Sequence, residues 1–246
     1  MVFTDGLLDP FLIGALVVGL ALVPLLADDL PVFGLIPHYH WLSGAAGASV
    51  AYVFVHLLPE LDTQNDVLDP SILSSFEHHA YLVALFGFGL FYGLERLVGL
   101  ARTHEDDVVA SEADLVFWIH VGAFSGYNAL IGYLLADYSF STRSDLLVFT
   151  LVLGLHLFVL DESLREDHEE IYHRFGRWLF GGAVLVGGAV GTLTAGGDPQ
   201  TAVVFSFFAG GLAMNAIKEE LPSEGDGRFW SFAVGAIVYT ALLVTV

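Results

Sequence analysis

A chain of 246 residues that is 55% apolar, with a mean hydropathy of +0.69, carries more apolar surface than one water-soluble core of that length can hide. Its net charge of −20, from 28 acidic against 8 basic residues, excludes nucleic acid as a partner, because phosphate recognition needs basic patches. The absence of cysteine excludes thiolate metal sites and leaves the redox compartment open.

The few charged residues gather between long apolar runs, as in bilayer-spanning helices and unlike amphipathic soluble ones. Runs near 10–27, 41–59, 79–100, 114–136, 145–161, 176–196, 199–217 and 228–246 predict an all-α polytopic membrane protein, with eight transmembrane helices in a single domain, 1–246. The first run has neither the basic start nor the small-residue cleavage site of a signal peptide. Lys and Arg are retained in cytoplasmic loops. With both termini outside, Arg96, Arg102, Arg165, Arg174, Arg177, Lys218 and Arg228 fall inside and Arg143 outside, which predicts a multi-pass protein of the cell membrane in that orientation. A single lysine and surplus carboxylate point to the salt-rich cytoplasm of a halophilic organism.

In chain order, the loop after the first run holds Asp28, Asp29, His38 and His40, a metal-binding signal of low specificity. The second run closes on the helix-terminating Pro59, and at its outer end His56 and Glu60 suit either a metal entrance or an ordinary wet helix end. The fourth run holds His120, Ser125 and Asn128, and the fifth holds His156 and ends at Asp161 and Glu162. Ionisable groups inside lipid are expensive to keep without use, so His120 and His156 read either as ligands or as a mutually satisfied buried pair. Asn128 reads as an interhelical hydrogen-bonder. Asp161 and Glu162 form either an exit ladder or a hydrated helix end, and beyond them His168, Glu169 and His173 form either a loop cluster in which Glu169 and His173, four residues apart, chelate an ion or a solvated acidic face. In the sixth run Gly187 and Gly191 make a GxxxG face, with Gly181, Gly182 and Gly188 also reading as helix-packing positions.

An internal repeat links the second and seventh runs. Ser43-Gly-Ala-Ala-Gly47 through His56-Leu-Leu-Pro59 lies over Ser206-Phe-Phe-Ala-Gly210 through Glu219-Glu-Leu-Pro222 without a gap. The two runs cross in opposite directions, so the match implies an inverted-topology repeat, common in transporters.

Gly44-Ala-Ala-Gly47 to His56-Leu-Leu-Pro-Glu60, Phe86-Gly-Phe-Gly-Leu-Phe-Tyr-Gly-Leu-Glu-Arg96 and Glu219-Glu-Leu-Pro222 resemble the second, third and seventh helices of the Zrt-/Irt-like (ZIP) divalent-metal transporters. The resemblance covers nearly the whole chain and implies a three-plus-two-plus-three inverted-repeat arrangement, with a metal site between the fourth and fifth helices. That family's patterns there are H-N-x-x-[DE]-G and H-E-x-P-H-E. His120 matches the first, while Val121 and Phe124 replace its Asn and acid. His156 and Asp161 match the ends of the second, while Leu157, Val159 and Leu160 replace its inner Glu, Pro and His.

The resemblance implies transport of zinc or a similar divalent metal through a reduced site, with one metal held by His120 and His156, assisted by Asn128, Ser125 or Asp161; neutral imidazoles suit zinc and similar ions. The alternative is a ZIP-fold protein with a binding, sensing or structural role. No enzyme motif is present, and no tightly bound cofactor is expected. The expected partners are the lipid bilayer and divalent metal ions, with a homodimer as a further option.

Overall fold

The computed structural model describes residues 10–26, 38–68, 78–103, 110–140, 142–167, 175–194, 198–218 and 228–245. These are all-α. The helices are α1 (Pro10–Leu26), α2 (His38–Tyr52), α3 (Leu58–Val67), α4 (His79–Thr103), α5 (Ala110–Asp137), α6 (Arg143–Asp167), α7 (Arg177–Thr194), α8 (Asp198–Lys218) and α9 (Phe229–Thr245). A π-turn at Val53–Leu57 joins α2 to α3 in one rod, so the described chain forms eight rods, one per predicted run.

Four stretches are long and apolar enough to cross a membrane: His40–Val67, His79–Leu97, Arg177–Thr194 and Pro199–Ile217. The apolar helices Pro10–Leu26 and Phe229–Val244 are shorter. This is the helix content of a multi-pass membrane protein. Large apolar side chains such as Phe86, Trp178, Trp230 and Ile237 lie on the outside of the bundle, where lipid, not water, would meet them.

The second rod departs from the sequence expectation in a way that matters for function. Pro59 was expected to end it, yet the helix continues to Val67. Proline has no N–H to give, and its ring would collide with the carbonyl four residues back, at Val55. The π-turn resolves both problems: the Leu58 N–H reaches back five residues to Val53 O, and the widened turn makes room for the ring. His40, expected in a loop, stands in the first turn of α2, where its Nδ1 hydrogen-bonds Ser231 Oγ at 2.7 Å.

Among the four long apolar stretches the more buried are α2–α3 and α8, with 56% and 67% of their apolar windows buried, against 22% for α4 and 33% for α7. These are the two rods linked by the internal repeat. Their glycines make matching contacts. A side chain on Gly47 would strike the backbone of Phe232 and Ala236 on α9, and one on Gly210 would strike the backbone of Ala84 and Phe88 on α4. From the opposing helices, Gly235 abuts Gly44 and Gly87 abuts Phe207. α2 thus packs on α9 as α8 packs on α4, with glycines letting the backbones touch. The sixth-run glycines do the same work: Gly187 meets Ala129, Gly191 meets Tyr133, Gly181 meets Ala21 and Gly188 meets Val17, while Gly182 faces open space.

Helix ends sort onto two sides as the alternating topology requires. At one end, here the cleft end, the Ala80 N–H on α4 donates to Asn65 Oδ1 at 3.1 Å, beside the finish of α3 and α5 and the start of α6 and α8. The start of α6 is closed there by a reciprocal capping box. The Thr142 hydroxyl accepts from the Asp145 N–H at 3.0 Å, and the Asp145 carboxylate accepts from the Thr142 N–H at 2.9 Å. At the opposite end, the Arg228 N–H before α9 donates to Ser43 Oγ of α2 at 3.1 Å. That bond satisfies one of the amide groups a helix start leaves without an intrahelical partner.

Candidate functional site

Tyr52, His56, Glu60 and Gln64 recur every fourth residue along the second rod, a spacing that lays polar groups in one stripe. The π-turn lies within the stripe, a distortion frequent at functional sites. Tyr52 is fully buried and its ring stacks on His56 with centroids 5.2 Å apart. Among the described residues its hydroxyl has no hydrogen-bond partner, nor does that of Tyr239 on α9, whose ring lies 6.4 Å from the Tyr52 ring.

Further along, Gln64 Nε2 donates to Glu60 Oε1 at 2.8 Å, and the Tyr138 hydroxyl donates to the same oxygen at 2.5 Å. Burial, then the hydrogen bond to Glu60 and its negative charge, push the Tyr138 phenol well above its usual range. Beside this pair, the Thr201 hydroxyl of α8 donates to Asp137 Oδ2 at the end of α5. Glu60, Thr63, Gln64, Asp137, Ser139 and Thr201 line a polar cleft of about 290 Å³. A larger groove of about 610 Å³ lies between α2, α6 and α9, but Trp41, Ala48, Leu155, Val234 and Leu242 make its walls apolar. It offers little to an ion.

Deeper in the bundle, His156 is fully buried on α6 and its Nε2 lies 2.9 Å from the Tyr127 hydroxyl of α5. Tyr127 in turn stacks on Phe208 of α8, with centroids 5.2 Å apart, and meets the edge of Phe91 of α4 at 5.2 Å. An aromatic cluster from three helices therefore holds the phenol against the imidazole.

The predicted site residues fall as follows. His120 lies in α5, and Asp161 and Glu162 lie in α6, but their side chains are outside the described residues, as are His168, Glu169 and His173 altogether. Ser125 is half-buried on α5. Asn128 is buried, but its Nδ2 donates to Phe124 O of its own helix at 2.8 Å, and its Oδ1 has no partner among the described residues. The expected interhelical bond gives way to a local one, as short amide side chains can reach the carbonyl one turn back. His56 and Glu60 stand on the polar stripe, Glu60 within the cleft. Among the described residues, no three His, Asp or Glu side chains converge as a metal-holding group.

Sequence reasoning missed Tyr127, Asp137, Tyr138 and Thr201. The four-residue spacing from Tyr52 to Gln64 was the available signal, obscured by the expectation that Pro59 stops the helix. Comparison of the chain with protein-family models, with curated proteins and with solved structures gives no match.

Proposed function

We propose that this chain is a ZIP-like membrane transporter of divalent metal cations, zinc or a similar ion, built as a three-plus-two-plus-three inverted repeat. The observation that carries the reading is the matched pair of glycine contacts, Gly47 on α9 and Gly210 on α4. Two oppositely directed halves that pack alike are the architecture in which a substrate site lies between the repeats and one half rocks against the other. In this reading both termini are outside and the cleft end faces outward. An ion enters past Glu60 and His56, pauses at a reduced site between α5 and α6 where His120 and His156 are the principal ligands, and leaves past Asp161 and Glu162. Asn128, with its bare Oδ1, and Ser125 assist.

One observation favours a second reading, a ZIP-fold protein that binds or senses without transporting. His156 Nε2 is engaged by Tyr127, and the phenol must turn aside before that nitrogen can bind a metal. Uptake of Zn2+ and Cd2+ into proteoliposomes at high salt separates the two: saturable uptake supports transport, and its absence in a folded, inserted protein supports the second reading.

A further inference from the structure

Asp137 is 9% exposed, and its Oδ1 is buried without a hydrogen-bond partner among the described residues, while Oδ2 accepts from Thr201. A buried carboxylate oxygen left bare is costly, and a bound cation is one group that relieves that cost. The side chain lines the same cleft as Glu60, Thr63, Gln64, Ser139 and Thr201. Every polar side chain in that lining offers oxygen, and no imidazole takes part.

We propose that this cleft binds one hard divalent cation of the Ca2+ type, held by the carboxylates of Asp137 and Glu60. The hydroxyls of Thr201 and Thr63, the Gln64 carbonyl oxygen and water complete the shell. Two carboxylates balance one divalent charge. Ca2+ accepts irregular sets of six to eight carboxylate, amide, hydroxyl and water oxygens, whereas zinc favours nitrogen and sulfur. Glu60 is already oriented by Tyr138 and Gln64 through its Oε1, so little ordering remains to be done on binding. The ligands come from α3, α5 and α8, so a bound ion ties three helix ends together. The inference does not rest on transport: binding is measurable without flux.

The test is equilibrium dialysis of the full chain in detergent at high KCl with radioactive Ca2+, together with thermal unfolding with and without CaCl2. The expected result is one saturable site with a Kd of roughly 0.1–1 mM, the range of weak exposed Ca2+ modules, and a raised unfolding midpoint. Asp137→Asn and Glu60→Gln each weaken binding about tenfold or more, because each removes half the ligand charge. Asp62→Asn, at an exposed carboxylate that does not line the cleft, leaves binding unchanged. Absence of both saturable binding and a midpoint shift in the wild type overturns the proposal, as does wild-type affinity in folded Asp137→Asn. Ca2+ binding without any Zn2+ flux defeats the transport reading and leaves this one standing.

Discussion

Tyr138 and Glu60 share a hydrogen bond of 2.5 Å that joins the end of α5 to a helix carried past its own proline by a π-turn. The bond makes stability depend on the phenol keeping its proton. An unfolded tyrosine ionises near pH 10. In the folded chain, burial and then Glu60 raise that value, so the stabilisation is complete below about pH 10 and is lost as pH rises further, towards the folded value. Tyr138→Phe is expected to cost about 1.5–3 kcal/mol at neutral pH, as for a hydrogen bond to a charged group. It should also flatten the fall in unfolding midpoint between about pH 10 and 12. A variant with the wild-type alkaline profile would remove Tyr138 as its source.

Gly47 and Gly210 give a second prediction. Gly47→Leu and Gly210→Leu each force apart backbones that touch, an overpacking cost of about 1–3 kcal/mol or more. Thermal unfolding in detergent should show similar losses for both, because the contacts match. Gly89→Leu, where nothing lies within 4 Å of an added methyl, should change little. A Gly47→Leu protein as stable as wild type would contradict the close pairing of α2 with α9.

These cases mark what was legible in the sequence. The eight runs and the Gly187/Gly191 face could be read because lipid burial and small-residue packing leave periodic signals along one helix. His56 and Glu60 stood out as polar residues near a helix end. Asp137 and Thr201 did not, because their partnership depends on how α5 and α8 come together, which no local pattern encodes. Tyr127 was hidden for the same reason, since in sequence it reads as one aromatic among many. Pro59 misled outright: its usual effect is to break a helix, and here the π-turn absorbs it.

Orientation is directly testable, since the chain has no cysteine and each introduced one is unique. Ser139 is exposed at the cleft end and Phe229 is exposed at the opposite end. With both chain termini outside, Ser139→Cys reacts with a membrane-impermeant maleimide in intact cells, and Phe229→Cys reacts only after lysis. The reverse pattern would invert the assignment built on the arginines.

In the proposed transport cycle, metal crosses the bilayer by way of His156. The most direct measurement is Zn2+ and Cd2+ uptake into proteoliposomes at high salt, with wild type beside His156→Ala and His120→Ala, each checked for folding and insertion. Passage through these ligands gives saturable uptake in the wild type, reduced about tenfold or more in each variant, at least the cost of losing a residue that only orients a ligand. Undiminished uptake in both variants, or no uptake by the inserted wild type, would contradict it.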